Sequence, residues 1–405
     1  MLSIITPTHN PKHLQRLYES IEAQTCRDFE WVVVPNNNAD VSFLPKKDWI
    51  RIVPYTAESK LIGAIKNFAF MQGEGDWLLE MDHDDEMLPN CIEEIVKASN
   101  EVKCDFIYSD SLDIEPGYTS KTFPEYCGWR QYPFTYKTIP YNVNYTFLPT
   151  PQSVSRIWFA PNHIRAWRKN FYRTIGGHDV TLKALDDQDL MCRSYIAGKM
   201  HKIEKVLYAY YYHENNSFAS QELNQWIQEY TLTLYEKYIL QLTEKWCDVN
   251  GYYKVDINKR GTLRRGYLSI DLDSDAPSVP YDSVGLIVAD DALQLYQFPV
   301  ITMAKCWNLL ASGGMLLSNT PSTEGRGAFQ DPNHMSYWNI NSFWYYTKSQ
   351  FTQFTDSNIK FQATHTKNWY PSDFHKEHKI DYVMAHLTAL KKGDERSWLP
   401  GIIEV

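Results

Sequence analysis

Short apolar runs alternate with helical spacings over the first part of the chain. Strands are predicted at Ser3–Thr6, Trp31–Val34, Ile50–Val53 and Trp77–Met81, and helices at Lys12–Gln24 and Leu61–Gln72. Strands that alternate with helices predict an α/β fold with a mostly parallel sheet between two layers of helices. Ligands of such sheets bind beyond the carboxyl ends of the strands, so the residues that follow these runs are the first candidates for a site.

From Tyr118 to about Pro161 this pattern is replaced by a long stretch rich in Pro, Tyr, Trp and Asn. Connections of that length are functional or disordered, and the aromatic content argues against disorder. Helical patterning returns around Ala166–Thr174 and at Leu185–Ala197, and a long helix is predicted for Gln221–Cys247.

A second alternation of strands and helices follows the long helix. Its strands are predicted in "GYLSIDLD", "SVGLIVADDALQ" and "GGMLLSNTP", with a helix near Ile301–Leu310. The patterns together predict a first α/β domain at residues 1–217, a helical connector at 218–250 and a second α/β domain at 251–405.

Composition narrows the class of protein. A chain of 405 residues with 43% hydrophobic content can bury two or three cores, while a net charge of −9 without a Lys/Arg-rich run argues against a nucleic-acid partner. No apolar stretch approaches the roughly 18 residues of a membrane helix, and Leu2–Ile5 is too short for a signal peptide. Seven cysteines without a Cys-x-x-Cys pair suit a reducing compartment, so a cytoplasmic location is predicted.

The sequence "WLLEMDHDDE" (77–86) places a predicted buried strand directly before an acidic cluster. Carboxylates this close raise one another's pKa values unless water or a cation separates their charges. Asp-x-Asp occurs four times in the chain, so the spacing alone is weak evidence. The strand-end position of Asp82 and Asp84 favours Mg²⁺ or Mn²⁺, which bridge carboxylates and substrate phosphates.

Five ordered segments carry a resemblance to a known family. They are "SIITPTHN", "WVVVPNNNAD", "GAIKNFAFMQGEGDWLLEMDHDDEM", "IGGHDVTLKALDDQDLMCRSYIAGK" and "LYAYYYHENNS". Over about Met1–Asn216 the chain resembles a family 2 glycosyltransferase of the GT-A fold. The resemblance implies a nucleoside-diphosphate sugar as donor, a UDP- or GDP-sugar, together with Mn²⁺ or Mg²⁺.

The resemblance also implies roles for particular residues. Metal binding falls on Asp82, Asp84 and His213, and catalysis on Asp186 and Asp187. The residues implied to contact the donor nucleotide lie at strand ends and on one helix. They are Thr6, Pro7, Thr8, Asn36, Asn37, Lys66, Asn67, Asp82 and His83.

The chemistry of sugar transfer requires the same groups. A metal held by carboxylates stabilises the diphosphate leaving group, and a carboxylate base must take the proton of the attacking hydroxyl. Asp187 opens a predicted helix after Gly176-Gly177 and suits that base, although acids in a first helical turn also favour the helix dipole.

Some positions leave alternatives open. The acidic turn that the family uses to recognise the base is Pro35–Asn38 here, whose amides can bind a pyrimidine edge but leave the nucleotide undetermined. A histidine such as His213, taken alone, is more often a hydrogen-bonded structural residue than a metal ligand. Trp129, Tyr132 and Tyr141 could stack on acceptor sugars, and aromatic packing in a core explains them as well.

Residues Gly251–Thr347 resemble a class I methyltransferase that binds S-adenosylmethionine. Asp271 corresponds to the acid that holds the cofactor ribose, but Ile257-Asn258-Lys259-Arg260 stands where that family has its Gly-rich loop. Bulky side chains there deny the cofactor a close approach to the backbone. The second domain is therefore predicted to be methyltransferase-like and inactive.

The sequence thus predicts an inverting, metal-dependent glycosyltransferase that acts on a glycan or another hydroxyl acceptor, as in polysaccharide biosynthesis. Two alternatives remain at this point. One is a bifunctional enzyme that also methylates a sugar, with Gly261 or Gly266 replacing the missing loop. The other is a non-catalytic carbohydrate-binding protein.

Overall fold

The computed structural model describes residues 1–125, 128–157, 159–214, 216, 220–261, 263–274, 278–355 and 358–391. The chain divides into two units, Met1–Ile239 and Leu240–Val405. The predicted domain end at residue 217 lies outside the described residues. The predicted connector corresponds to a helix, Gln221–Asn250, whose residues are shared between the two units.

The first unit contains eleven described strands and the helices that cover them. The strands are β1 Leu2–Thr8, β2 Phe29–Pro35, β3 Ile50–Ile52, β4 Trp77–Glu80, β5 Glu86–Met87, β6 Phe106–Glu115, β7 Thr119–Ser120, β8 Gln131–Tyr136, β9 Ile139–Asn144, β10 Arg165–Arg168 and β11 Met200–Tyr211. The helices are α1 Leu14–Glu22, α2 Ile62–Met71, α3 Cys91–Glu101, α4 Pro151–Arg156, α5 Lys169–Thr174, α6 Asp186–Ala197 and α7 Gln221–Asn250, and a 3₁₀ turn, Pro11–His13, precedes α1.

The main sheet of this unit has the strand order β3-β2-β1-β4-β10-β6-β11-β5, and β7 pairs with β6. The first four strands are parallel, as the alternating pattern predicts. Strand β10 is antiparallel to both of its neighbours, so the sheet is mixed rather than mostly parallel.

Burial explains why these segments become strands and helices. Within β1 only Pro7 is more than slightly exposed, the continuous burial typical of a strand covered on both faces. Helix α1 buries Leu14, Leu17, Tyr18 and Ile21, which recur at helical spacing. The register of β1 with its two neighbours pairs Thr8 with Pro35 and Ile5 with Glu80, which brings the three strand ends to one edge.

The second unit contains a six-stranded sheet in the order β13-β12-β14-β15-β17-β16. Its strands are β12 Tyr253–Asp256, β13 Leu268–Ser269, β14 Val284–Asp290, β15 Leu310–Pro321, β16 Phe361–Trp369 and β17 Tyr382–Ala389. Its helices are α8 Pro299–Leu309, α9 Gly327–Gln330, α10 Trp344–Thr347, α11 Ser349–Thr352 and α12 Asp373–Glu377. The strands β13, β12, β14 and β15 are parallel, whereas β17 is antiparallel to β15 and β16.

Two further observations bear on the predictions from composition. In the described part of the chain every helix is too short or too polar to cross a bilayer. The six described cysteines are all free thiols, and Cys127 lies outside the described residues.

Candidate functional site

The acidic cluster directly follows β4, where each of its three aspartates has a different partner. Asp82 faces the ring of His163, with 3.6 Å between Oδ2 and Nε2. The Oδ2 of Asp84 lies 2.8 Å from His213 Nε2. Asp85 is buried and accepts hydrogen bonds from the Tyr208 hydroxyl and from a backbone N–H of β11, both at 2.8 Å.

Burial dominates the electrostatics of these acids. It raises the pKa of Asp82 to about 7, and the nearby charges of Glu80 and Asp84 act in the same direction, while Lys66 opposes them. Burial and the two neighbouring aspartates raise the pKa of Asp85 well above its usual range. Because Asp82 and Asp85 both resist ionising, an added positive charge beside them would be stabilised.

The donor set fits a divalent cation that arrives with phosphates. Among the described residues no three His, Cys, Asp or Glu side chains are already arranged around a common metal position. Mg²⁺ and similar ions commonly use one or two protein carboxylates and complete their coordination with phosphate and water. Asp82 and Asp84 are carboxylates of this kind, and the ring nitrogen of His213 lies beside Asp84.

A buried ionic cluster connects the end of β4 with the start of α6. The Glu80 carboxylate lies 2.5 Å from Lys66 Nζ and 3.4 Å from Arg165 Nη1. The same Arg165 nitrogen lies 2.7 Å from Asp187 Oδ2. Arg165 also donates to the carbonyls of Pro161 and Phe159, at 3.0 and 3.1 Å. Lys66, a predicted donor contact, and Asp187, the predicted base, are therefore joined through Glu80 and Arg165.

Asp187 and its neighbour Asp186 have opposite electrostatic environments. Burial by itself would raise the pKa of Asp187, but the charges of Arg165 and Lys66 lower it below the usual range. Burial raises the pKa of Asp186 to about 7, helped by the adjacent Asp187 charge. The Asp187 side chain is 19% exposed, so a carboxylate with a lowered pKa reaches the surface at the start of α6.

Asp189, two residues further along α6, is held by contacts within the protein. Its carboxylate pairs with Arg193 at 2.6 Å and with Lys237 at 3.1 Å, and it accepts a hydrogen bond from the Tyr238 hydroxyl at 2.6 Å. These contacts tie α6 to α7 within the first unit. The carboxylate of Asp189 is therefore accounted for by contacts within the protein.

The predicted nucleotide contacts lie at the ends of β1 and β2. The hydroxyl of Thr6 accepts a hydrogen bond from Trp31 Nε1 at 3.0 Å, and Pro7 follows it on the strand. The Thr8 hydroxyl is buried without a hydrogen-bond partner among the described residues, and its carbonyl accepts from Asn36 N at 2.9 Å. Asn37 has a φ of 50°, a left-handed conformation that Asn tolerates better than most residues.

The other predicted donor residues lie near a group of histidines. The ring of His83 meets the ring of His9 edge-on, with centroids 5.1 Å apart, and His13 stacks on His213 at 5.6 Å. Asn67 accepts a hydrogen bond from the Tyr172 hydroxyl at 3.3 Å. The structure therefore places His83 in the group that surrounds Asp84, and Asn67 one residue from Lys66 on α2.

Several residues of this site were not among the residues predicted from the sequence. They are Glu80, Arg165, His163, His9 and His13. A weak signal existed for Glu80 and Arg165, because each is a charged residue within an apolar segment, and such residues are rarely buried without a partner. For the histidines the sequence contains no such signal.

The structure separates the three predicted acceptor residues. Trp129 is buried against the rings of Phe123, Phe147 and Phe159, with centroids 4.5 to 5.8 Å away, and Tyr141 is buried as well. This placement favours core packing over sugar stacking for both residues. Tyr132 is half-buried and lines a cavity on β6.

In the second unit, side chains of the chain itself occupy the ends of the parallel strands. Asn258 Oδ1 accepts from the backbone N–H groups of Arg260 and Gly261 at 2.8 and 3.1 Å, the kind of donors that a cofactor carboxylate would need. Lys259 pairs with Asp271, the predicted ribose-binding acid, at 3.4 Å. Ile257 is buried in the core.

Comparisons with known proteins agree with the arrangement in the first unit. Residues 3–158 match the family described as Glycosyl transferase family 2. An uncharacterized glycosyltransferase of Haemophilus influenzae is 26% identical over 200 residues, which cover 48% of this chain and 61% of that protein, so the chain spans about three fifths of this curated relative. Residues 3–158 of the first unit are therefore similar to family 2 glycosyltransferases, which agrees with the predicted enzyme class.

Solved structures of TarS from S. aureus resemble the chain more distantly. TarS 1–349 is 17% identical with a TM-score of 0.41, over 61% of this chain and 72% of that chain. Its complex with UDP-GlcNAc is also 17% identical, with a TM-score of 0.44, over 59% of this chain and 72% of that chain. Values this low do not establish a shared ligand.

Proposed function

We propose that the chain is an inverting, divalent-metal-dependent glycosyltransferase of the GT-A fold that moves a sugar from a UDP- or GDP-sugar to a hydroxyl of a glycan. The observation that carries this proposal is the ionic cluster in which Arg165 links the ionised Asp187 to the β4 end, where the acidic cluster begins. The proposal assigns the base and the cation-binding edge to one site on the strength of this link.

Each group has a defined task in the proposed reaction. A cation held by Asp82, Asp84 and His213 would stabilise the negative charge of the diphosphate leaving group. Burial disfavours the charge of Lys66, but the Glu80 carboxylate raises the pKa of Lys66 well above its usual range, so a cation is present for a phosphate. The amides of Asn36 and Asn37 would bind the nucleotide base.

The nucleophile is activated by Asp187. Its partly exposed carboxylate takes the proton of the acceptor hydroxyl as the hydroxyl oxygen attacks the anomeric carbon. The nucleoside diphosphate leaves from the opposite face, so the anomeric configuration inverts. Arg165 acts as a positioning residue that keeps the carboxylate ionised and fixed in direction.

A thermal-shift screen of sugar nucleotides with and without Mn²⁺ tests the proposal. A ligand that binds the native state raises the apparent unfolding temperature by mass action. We expect one UDP- or GDP-sugar to stabilise the protein with Mn²⁺ and much less with EDTA. A stabilisation that is equal in both conditions would argue against the metal dependence.

Replacement of Arg165 should change the pH dependence of transfer. Without the guanidinium the pKa of Asp187 rises, so the carboxylate becomes protonated at a higher pH. The acidic limb of the rate profile therefore moves to higher pH. We expect Arg165→Lys to shift this limb less than Arg165→Ala, because it keeps a positive charge. The measurement is kcat against pH for the two variants.

The Arg165 variants need a control for folding, since removal of one partner from a buried ion pair costs about 3–5 kcal/mol. Unfolding curves define the temperature at which both variants are native. A uniform loss of activity at every pH, with no displacement of the acidic limb, would contradict the positioning role.

The second unit should not bind S-adenosylmethionine with useful affinity. The backbone donors at residues 260 and 261 are already bonded to Asn258, and Lys259 already neutralises Asp271. Calorimetry of the full chain with S-adenosylmethionine and S-adenosylhomocysteine measures this directly, with a nucleoside diphosphate and Mn²⁺ as the positive control. A low micromolar dissociation constant would support the bifunctional alternative instead.

A cytoplasmic location remains a prediction from the sequence. The free thiols of the described cysteines agree with a reducing compartment.

A further inference from the structure

A cavity of about 690 Å³ lies in the first unit at the bulge of β11. Its walls come from β6, from the hairpin formed by β8 and β9, from the turn before α3 and from the bulge at residues 204–206. Ligand pockets commonly have volumes of about 300–1,000 Å³. None of the residues that line this cavity belongs to the proposed donor site.

Strand β6 separates this cavity from the proposed donor site. Asp110 lines the cavity, whereas Ser109 and Ser111 on either side of it hydrogen-bond the segment that carries His163. Successive side chains of a strand point to opposite faces. The cavity therefore lies on the face of β6 that is turned away from the contact between His163 and Asp82.

The floor of the cavity is a connected set of hydrogen bonds and ion pairs in which opposite charges face each other. The Asp110 carboxylate accepts from the Tyr132 hydroxyl at 2.7 Å and from a backbone N–H at 2.8 Å, and it pairs with Lys202 at 3.0 Å. The Lys202 ammonium lies 3.3 Å from the centroid of the Tyr145 ring, and the Tyr145 hydroxyl donates to Glu204 at 2.8 Å. These contacts fix two tyrosine rings in the cavity wall.

Two polar side chains at the rim, those of Arg130 and Asn90, have no partner among the residues that the structure describes. Arg130 is exposed, and the described residues offer its guanidinium no hydrogen bond or ion pair. The side-chain amide of Asn90 is likewise without a partner in the described part of the chain. Between this rim and the tyrosines lie apolar surfaces of Leu88, Phe134 and Val206.

We propose that this cavity, which we call the β6 groove, binds a segment of a glycan chain at a site separate from the donor site. Sugar rings have an apolar face that packs on an aromatic ring and a border of hydroxyls that requires hydrogen-bond donors and acceptors. The β6 groove offers aromatic rings and hydrogen-bonding groups in one cavity. The opposite charges of Arg130 and Glu204 in its lining suit hydroxyls better than a single ionic group. The choice of a glycan as occupant rests on the proposed function.

The test measures binding of hexasaccharides to the full chain by calorimetry, with β-1,4-linked glucose, β-1,4-linked N-acetylglucosamine and hyaluronan hexamers as probes. Arg130→Ala removes an exposed donor, and we expect it to weaken binding of the best probe by about 10-fold or more, as loss of a charged hydrogen bond implies. Asn90→Trp fills the groove and, since the Asn90 amide has no partner among the described residues, breaks no side-chain contact within the protein; we expect it to abolish binding.

Matched controls lie on α5, outside the groove. Arg173→Ala and Asn170→Trp make the same substitutions at exposed positions and should leave binding unchanged. The inference is overturned if no probe binds at 10 mM, or if the groove and control variants bind alike. Titration of UDP and GDP with Mn²⁺ on the same samples tests the donor site independently, so failure of the groove and failure of the proposed function are distinguishable.

Discussion

Replacement of Asp187 by asparagine should lower turnover by about 100- to 10,000-fold, the usual contribution of general-base catalysis. The amide cannot take the proton of the acceptor hydroxyl. Its remaining oxygen can still accept from Arg165, which also keeps its bonds to two backbone carbonyls and to Glu80. We therefore expect nearly unchanged donor affinity and a folded protein.

The measurement is steady-state transfer or donor hydrolysis, together with calorimetry of the nucleotide. Asp76→Asn is a matched control, because Asp76 is an exposed carboxylate at the opposite end of β4. Full activity of Asp187→Asn would place the base elsewhere. Asp189 would then be a poor substitute, since its carboxylate already has three partners.

The second large effect is expected at Asp84. Asparagine at this position can still accept a hydrogen bond from His213, so the local structure should persist. The lost charge, however, removes a hard ligand from the cation. Mutation of a residue that only hydrogen-bonds a metal ligand lowers metal affinity by about 10- to 100-fold. Loss of a ligand itself should therefore lower metal affinity by about 100-fold or more.

Calorimetry of a nucleoside diphosphate with Mn²⁺ and with EDTA measures this effect. In the native protein Mn²⁺ should strengthen nucleotide binding, and in Asp84→Asn that gain should disappear, while Asp76→Asn should retain it. Equal nucleotide affinity in Asp84→Asn, in the native protein and in EDTA would show that no metal at Asp84 takes part.

Local patterns predicted much of the first unit. The strands β1, β2 and β4 and the helices α2 and α6 follow from their apolar spacing and the residues that end them. The predicted helix at Ala166–Thr174 is wrong in its first part, because residues 165–168 form β10. This short segment pairs with both β4 and β6, and such long-range pairing overrides local helical spacing.

The hairpin of β8 and β9 was hidden in the long aromatic segment. Its two-residue turn is formed by Lys137 and Thr138, with φ of 48° and 67°. Turns of this kind usually contain Asn-Gly or Asp-Gly, so this sequence carries no turn signal. The β6 groove depends on this hairpin, and no local pattern could have predicted it.

The candidate site was predictable only where its residues end strands or begin helices. Asp82, Asp84 and Asp187 meet that condition. Arg165 does not, because its partners Glu80 and Asp187 are 85 and 22 residues away along the chain, and only the folded sheet brings them together. The acids could be predicted from the sequence, but the cation that organises them could not.

Release of nucleoside diphosphate from a sugar nucleotide is the most direct test of the central claim. The donor identified by thermal shift is incubated with native protein and Mn²⁺, and the released UDP or GDP is quantified over time. We expect steady release from the native protein, no release in EDTA, and release that is slower by about 100-fold or more in Asp187→Asn. Tight donor binding with no release, in the presence or absence of a glycan, would contradict the central claim and would support a non-catalytic carbohydrate-binding protein.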